Sequence, residues 1–301
     1  MSNDKKHICI IIPTFNRLGY LRVILSQLLV QEPSTKFTIT PVVIVDGSND
    51  GTNEMLDSEF LNVKIIKGSG NWWWTKSVNE GIKYALQNLS PDFFLLLNDD
   101  SQIEPNYLNL LFDTYVSVGK DCVIGSISVT DTTPKRVSFA GVKKIDWFKL
   151  KKENYYKGFE LLSNIPSNCL LPTQALNGRG TLISTKIIKE LNYLDEKNFP
   201  QYGSDDDLAL RSIKLGYDVL ISYSAIIIDR AQDTSKGTAY RQDSIWVFIK
   251  SFFTWNSVNY IPKQIRFFYI HGIKILIPYY FIKFILGTSN AYFFKYKKLK
   301  L

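Results

Sequence analysis

The chain of 301 residues has room for one large α/β domain or two modest ones, and its 45% hydrophobic and 21% charged residues exclude wholesale disorder. Three widely separated cysteines and two histidines are too few for a disulfide framework or a Cys/His zinc site. The net charge of +8 is unevenly placed: Ser244 to Leu301 carry nine Lys/Arg, no acid and 17 of the 42 aromatics, while the preceding 243 residues balance 27 basic against 28 acidic side chains.

Met1 to His7 is polar and runs directly into a strand-like segment without a signal-peptide core, which, with the free cysteines, predicts a cytosolic chain. Ile8–Pro13 is a β-branched run closed by proline, as in a buried parallel strand. Asn16 stands where it could cap a helix carrying Leu18, Leu21, Leu25 and Leu28 at helical spacing. Pro41–Val45 predicts a second strand, ended by the turn-forming run Asp46-Gly47-Ser48-Asn49-Asp50-Gly51-Thr52. Val63–Ile66 predicts a third strand, Thr75–Gln87 a helix, and Phe93–Leu97 a fourth strand stopped by Asn98-Asp99-Asp100. This alternation predicts a mainly parallel, Rossmann-like sheet flanked by helices. Such sheets bind ligands at the carboxyl ends of their strands, the edge that Asp46, Asp99 and Asp100 should share.

Beyond residue 101 the pattern loosens. Cys122–Thr130, Lys135–Val142, Leu182–Ile183 and Val219–Ile228 predict strands, and Asp206–Leu215 a helix ended by Gly216. There is neither an internal repeat nor a low-complexity linker.

Two acidic clusters carry the chemistry. Asp99 and Asp100, adjacent at a strand end, repel one another unless a cation or strong donors compensate. A divalent ion bridging a diphosphate would do so, and a turn capping the next helix is the plainer alternative. In Tyr202-Gly203-Ser204-Asp205-Asp206-Asp207, Asp207 can pair with Arg211 four residues on, leaving Asp205 at the helix entrance as a candidate general base, or as a charge that complements the helix dipole. The Trp72–Trp74 run offers either a stacking surface for a sugar or nucleotide or a core aromatic cluster. Arg179, in glycine-flanked Asn177-Gly178-Arg179-Gly180, either reaches a phosphate or acceptor or is a solvated turn residue.

The motif order Ile-Ile-Pro-Thr-Phe-Asn-Arg, Asp-Gly-Ser-Asn-Asp-Gly-Thr, Asn-Asp-Asp and Gly-Ser-Asp-Asp-Asp-Leu-Ala-Leu-Arg resembles family-2 glycosyltransferases over about Lys6 to Asp233. Gly70-Asn71-Trp72-Trp73-Trp74-Thr75 followed by Asn79-Glu80-Gly81 looks like a subgroup of bacterial rhamnosyl- and galactofuranosyltransferase-like enzymes. The resemblance implies an α/β GT-A fold over residues 1–243, with a nucleotide-sugar half (about 1–100) and an acceptor half (about 101–243). It also implies inverting, metal-dependent transfer from a nucleotide-diphospho-sugar, UDP- or dTDP-linked, to a glycan or polyprenyl-linked acceptor in surface polysaccharide synthesis. By the same resemblance Pro13, Thr14 and Asn16 lie beside the nucleotide and Asp46 contacts base or ribose; Trp74 and Arg179, on the readings above, are candidate donor contacts. Asp100 would ligate Mn2+ or Mg2+, Asp99 would bind the ribose or support the metal, and Asp205 would be the catalytic base. The chain departs from the family where Asn98 replaces the first acid of the Asp-x-Asp motif, where Val45 precedes Asp46, and where Asp229 stands in place of a metal-binding histidine.

Residues 244–301 form a separate basic aromatic extension. A helical projection of Lys263–Ile277 puts Lys263, Arg266, His271 and Lys274 in one polar sector, as in an interfacial helix on anionic lipid, with a helical subdomain packed on the body as the alternative. The apolar run Ile275–Ile282 falls well short of the ~20 residues a membrane span needs. The expectation is a peripheral enzyme on the inner face of the cell membrane. No nucleic-acid recognition motif accompanies the basic residues. A sugar nucleotidyltransferase would need a glycine-rich phosphate loop, which the Pro13–Arg17 turn lacks, and retention of Asp100 and Asp205 weighs against a non-catalytic carbohydrate-binding protein.

Overall fold

The computed structural model describes residues 5–156, 158–230 and 244–296. Asp233, the end of the family-like stretch, the boundary at residue 243 and the terminal lysines Lys297, Lys298 and Lys300 lie outside the described residues. In chain order the first half runs β1 (Lys6–Thr14), α1 (Leu18–Leu29), β2 (Phe37–Asp46), α2 (Thr52–Glu59), β3 (Lys64–Gly68), α3 (Trp73–Asn88), β4 (Phe93–Leu96), β5 (Ser101–Gln102) and α4 (Tyr107–Val118). The second half adds β6 (Cys122–Thr130), β7 (Val137–Phe139), β8 (Val142–Asp146), β9 (Lys151–Asn154), β10 (Leu170–Pro172), β11 (Thr181–Ser184), α5 (Thr185–Glu190), α6 (Ser204–Lys214) and β12 (Asp218–Asp229). The extension forms α7 (Ile245–Ser251), α8 (Ile261–His271) and α9 (Ile277–Asn290).

One large sheet has the order β10-β12-β6-β11-β4-β1-β2-β3. β3, β2, β1 and β4 are mutually parallel, so Thr14, Asp46 and the residues after Leu96 emerge at one edge. The core explains the uninterrupted apolar runs, since Ile8, Ile10, Ile12 and Leu95 pack on one face of the sheet while Cys9, Ile11, Val42 and Ile44 pack on the other. β11 is antiparallel to both β4 and β6. Because β11 runs against its neighbours, the loop leading into it, which carries Asn177 and Arg179, reaches the same edge as the ends of β1, β2 and β4.

Several local expectations need correction. Asn16 does not cap α1: its backbone has φ of +50°, its amide donates to Ser48 Oγ and its side-chain oxygen accepts from the Asn49 amide. The first free amide of α1, on Leu18, is instead taken by Asp50 Oδ2 from the neighbouring turn, at 2.9 Å. The strand expected over Lys135–Val142 divides at Ala140-Gly141, where Gly141 has φ of +84°, into β7 on the main sheet and β8, which pairs with β9 in a separate hairpin. The single helix expected over Lys263–Ile277 breaks at Gly272, whose backbone is extended (φ −86°, ψ −176°), and the missing side chain leaves room for the Tyr280 ring and the Phe268 carbonyl.

The extension rests on the body. Trp73 meets Trp255 edge to face at 4.7 Å, Trp147 packs against Phe267 and Tyr280, and Tyr280 is wholly buried. Asp207, also wholly buried, accepts from Arg211 Nε at 2.7 Å and lies 2.8 Å from His271 Nε2, a hydrogen bond that latches α8 to α6. Lys263 and His271 are therefore drawn into the protein and are not solvated members of a polar face. Among the described residues no helix is long and apolar enough to cross a membrane. Replacing His271 with Ala removes one donor from a buried carboxylate, so unfolding free energy should fall by about 1–3 kcal/mol. Urea titration measures the loss, and limited proteolysis should show earlier cleavage within residues 244–296.

Candidate active site

The common strand edge gathers the acidic motifs. Asp46 ends β2 and turns its carboxylate onto the 68–73 loop: Oδ1 accepts from the Gly70 amide at 2.7 Å, and Oδ2 from the amides of Trp72 and Trp73 at 2.8 and 3.0 Å. Gly47 and Gly70, both at positive φ, allow the approach, since a Cβ on Gly47 would lie 2.6 Å from Gly70 Cα. Asp46 is thus an anchor for the 68–73 loop as well as the residue expected beside base or ribose. The loop so held starts α3 at Trp73, earlier than expected. All three tryptophans are half-buried: Trp72 and Trp74 pack on the core, and Trp74 Nε1 donates to Asn98 Oδ1 at 2.8 Å.

Asp99 and Asp100 follow β4, and their compensating cation is Arg17. Its Nη1 lies 3.1 Å from Asp99 Oδ1 and 2.9 Å from Asp100 Oδ2. Burial still dominates at Asp99 and pushes its carboxyl up to about 6, with Arg17 opposing and Asp100 adding to the rise. Arg17 was present in the strand-end motif without an assigned role. The signal that could have found it was the electrostatic requirement itself, for a basic residue on the turn nearest two adjacent acids.

Asp229, at the end of β12, pairs in register with Ser101 and so stands beside Asp100. Its oxygens are engaged, however: Oδ1 receives Arg179 Nη1 and Oδ2 receives the Ser138 hydroxyl, both at 2.6 Å. Asp229, expected either to substitute for the family's histidine as a metal ligand or to leave that ligand absent, is thus held by Arg179 and Ser138, and among the described residues no three His, Cys, Asp or Glu side chains group as a metal-binding set. Burial raises the Asp229 carboxyl above its ordinary range despite Arg179. Arg179 in turn is not a solvated turn residue: its Nη1 is committed to Asp229, and its Nε is buried without a partner among the described residues.

Unmet polar atoms cluster along the same edge. Asp100 Oδ1, Asn177 Oδ1 and Arg179 Nε are buried with no hydrogen-bond partner among the described residues. Buried polar groups are otherwise almost always satisfied, so the cluster marks a place built for a polar ligand. Asp100 Oδ1 in particular fits a divalent cation that takes one protein carboxylate and completes its oxygen shell from phosphate and water.

Asp205 faces this cluster from α6. Gly203, at φ of +89°, turns the chain into the helix, and Asp205 Oδ1 accepts from the Asp206 amide. A Cβ on Gly178 would lie 3.4 Å from Asp205 Oδ2 and 3.1 Å from the Trp74 ring, so carboxylate, indole and the Asn177–Gly180 loop meet at one point. Asp206 is drawn away by Lys152 at 2.7 Å and Asp207 by Arg211, as the spacing predicted. Burial, reinforced by Asp206, pushes the Asp205 carboxyl up to about 6. Two side chains that sequence reading did not bring here complete the surroundings: Tyr202, and Lys263 of α8, whose ammonium lies 5.3 Å from the centre of the Tyr202 ring.

Pro13, Thr14 and Asn16 lie at or just beyond the end of β1, on the same edge. The family model "Glycosyl transferase family 2" matches residues 9–178. The chain belongs to glycosyl transferase family 2. It is 26% identical over 156 residues to Glycosyltransferase GlyA of Streptococcus pneumoniae serotype 4, covering 50% of this chain and 20% of that protein. It is also 28% identical over 120 residues to Uncharacterized protein MJ0544 of Methanocaldococcus jannaschii, covering 38% of this chain and 49% of that one. The fold resembles that in the crystal structure of GalNAc-T7 with UDP, GalNAc and Mn2+, with a TM-score of 0.62 and 13% identity over 97% of this chain and 59% of that chain. The chain thus spans about a fifth and about half of the two curated relatives, and the GT-A-like α/β fold is shared across nearly its whole length.

A raised carboxyl has a thermodynamic signature. The Asp205 pKa of about 6 exceeds the unfolded value near 4, so between those values the native state holds a proton that the unfolded chain has lost. Stability from this group therefore falls as pH rises through that window. Asp205→Asn should match wild type in melting temperature near pH 4 and exceed it by a few degrees above pH 6. Calorimetry across that range reads the difference.

Proposed function

We propose that the protein catalyses inverting, metal-dependent transfer of a sugar from a nucleotide-diphospho-sugar, UDP- or dTDP-linked, to a glycan or polyprenyl-linked acceptor. The observation that carries this reading is Asp205, a carboxylate with raised pKa, held with Trp74 against the loop of Arg179 on the edge where Arg17, Asp99 and Asp100 meet. The UDP, GalNAc and Mn2+ named for the structural relative support the donor class and a divalent ion.

In this reading the diphosphate lies along the edge formed by Pro13, Thr14 and Asn16, with Asp99 toward the ribose. Mn2+ or Mg2+, held through Asp100, supplies charge neutralisation of the leaving diphosphate. Arg17 and Arg179 line the same edge and offer guanidinium donors to the phosphates. Trp74 gives the donor sugar a flat face to stack on. Asp205 takes the proton of the acceptor hydroxyl as its oxygen attacks the anomeric carbon from the side opposite the diphosphate, which inverts configuration. No covalent bond to the protein is needed.

Asp205→Asn should keep donor affinity and lose transfer by ~10²–10⁴-fold, the usual worth of a general base. In the wild type, transfer should rise with pH through about 6, as Asp205 ionises, and then level off. Near-normal turnover in the variant would remove Asp205 from the role. Asp100→Ala should abolish Mn2+-dependent donor binding, as read by titration calorimetry with the nucleotide-sugar.

The extension suits a peripheral place on an anionic membrane in surface polysaccharide synthesis. Trp246, Phe253, Ile275, Ile282, Leu286 and Phe294 project into solvent, Ile275 at 86% exposure, among exposed Arg266, Lys274 and Lys283. Each basic residue near such a surface contributes ~1 kcal/mol. Changing Arg266, Lys274 and Lys283 together to Glu should release the folded protein from phosphatidylserine vesicles in a sedimentation assay and leave UDP affinity intact. Unaltered sedimentation would reject the membrane reading.

A further inference from the structure

A cavity of about 420 Å³ opens beside Asp205. The β8–β9 hairpin and the turn between its strands contribute Ile145, Trp147 and Lys152, and the 199–203 loop contributes Phe199 and Tyr202. Its far wall is α8, through Lys263 and Phe267. One cavity thus brings together a candidate base, aromatic walls and a residue from the extension.

Lys263 is the unexplained member. It is only 6% exposed, and among the described residues no carboxylate lies within ion-pair distance of its ammonium. Its Nζ donates to the carbonyls of Val258 at 2.8 Å and Ser257 at 3.3 Å and faces the Tyr202 ring. An ammonium carries three donors, and these carbonyls take two. Burial lowers its pKa to about 8, with Asp205 opposing. A buried cation without a counter-ion is costly, and it is relieved by an anion arriving with the ligand. Of the other charges around the cavity, Asp206 is already neutralised by Lys152, and Lys151 adds a further positive charge. Asp205 is the acid that faces the ligand, and it is required there to meet a hydroxyl.

We propose that this cavity is the acceptor subsite and that Lys263 is a specificity residue for an anionic group carried by the accepting sugar itself. The proposal rests on the transferase reading above and narrows its acceptor. The anion is either a phosphate joined to that sugar, as on a lipid carrier, or a carboxylate of an acidic sugar. Both offer Lys263 a charge-assisted hydrogen bond while a hydroxyl of the same ring turns to Asp205. The volume suits a monosaccharide with such a group, and Trp147, Phe199 and Phe267 supply faces for its C–H surfaces. The extension then does more than hold the enzyme near a surface, because it completes the site.

The test uses the full chain with three probes: glucose 1-phosphate, methyl glucuronide and, as neutral control, methyl glucoside. Calorimetry should find that the wild type binds at least one anionic probe about tenfold or more tightly than the control, the worth of one charge-assisted hydrogen bond. Preference for the phosphate identifies a phosphate-linked acceptor, and preference for the glucuronide an acidic sugar. Lys263→Met should bind all three alike. If the wild type does not discriminate, or if Lys263→Met keeps the preference, the proposal is wrong. Should the variant fail to fold, reductive methylation of the wild type decides: protection of Lys263 by the preferred anion supports the assignment, and equal labelling with and without it overturns it. Titration of both proteins with UDP and with dTDP reads the donor site separately, so failure of the wild type to bind either nucleotide would defeat the transferase reading and leave the anion result to stand alone.

Discussion

Two carboxylates side by side at the end of a buried strand are the condition to which the rest of this molecule answers. Asp99 and Asp100 sit where β4 leaves the core, and a neighbour must supply positive charge if either is to ionise. Arg17 does so from the turn after β1. That turn is fixed through Asn16, whose backbone and side chain are stitched to Ser48 and Asn49 after β2, and through Asp50, which caps α1 from the same loop. The parallel order of β3, β2, β1 and β4 is what brings these turns together.

A single acid repeats the logic farther along the edge. Asp229 is neutralised by Arg179, and the loop bearing Arg179 can lie there because β11 enters the sheet against the direction of β4. Gly180 tightens that placement, since a side chain there would strike the Tyr107 hydroxyl and Ser126. Arginine and carboxylate thus alternate along the cleft, and Asp100 keeps one oxygen in reserve. A cleft of this kind is electrostatically balanced yet leaves buried polar atoms that only a ligand can satisfy.

The first hundred residues were legible because their signals are local. Continuous β-branched runs give buried parallel strands, and acidic turns after them mark the ligand edge, so β1, β2, β4 and the Asn98–Asp100 stop could be read directly. Asp207 and Arg211 were legible for the same reason, four residues apart on one helix. Asp46 and Asp229 were harder, because whether a carboxylate is free depends on amides or a guanidinium that fold back from distant positions: Trp72 and Trp73 in one case, Arg179 in the other. Lys263 was least legible of all. A lysine at helical spacing among other basic residues looks solvated, and only the packing of α8 against α6 and the hairpin turns it inward.

That packing has a practical edge. The extension is greasy, basic and joined to the body after the last strand of the sheet, so it invites removal by anyone seeking a better-behaved sample. Yet α8 carries one wall of the cavity beside Asp205 and the imidazole that meets Asp207. A trimmed protein would retain the strand edge and its paired acids while opening the opposite side of the cleft to water. Preparations meant to preserve this architecture are better made soluble by recolouring the outward faces of α7 and α9 with polar side chains than by cutting the chain before Ile261.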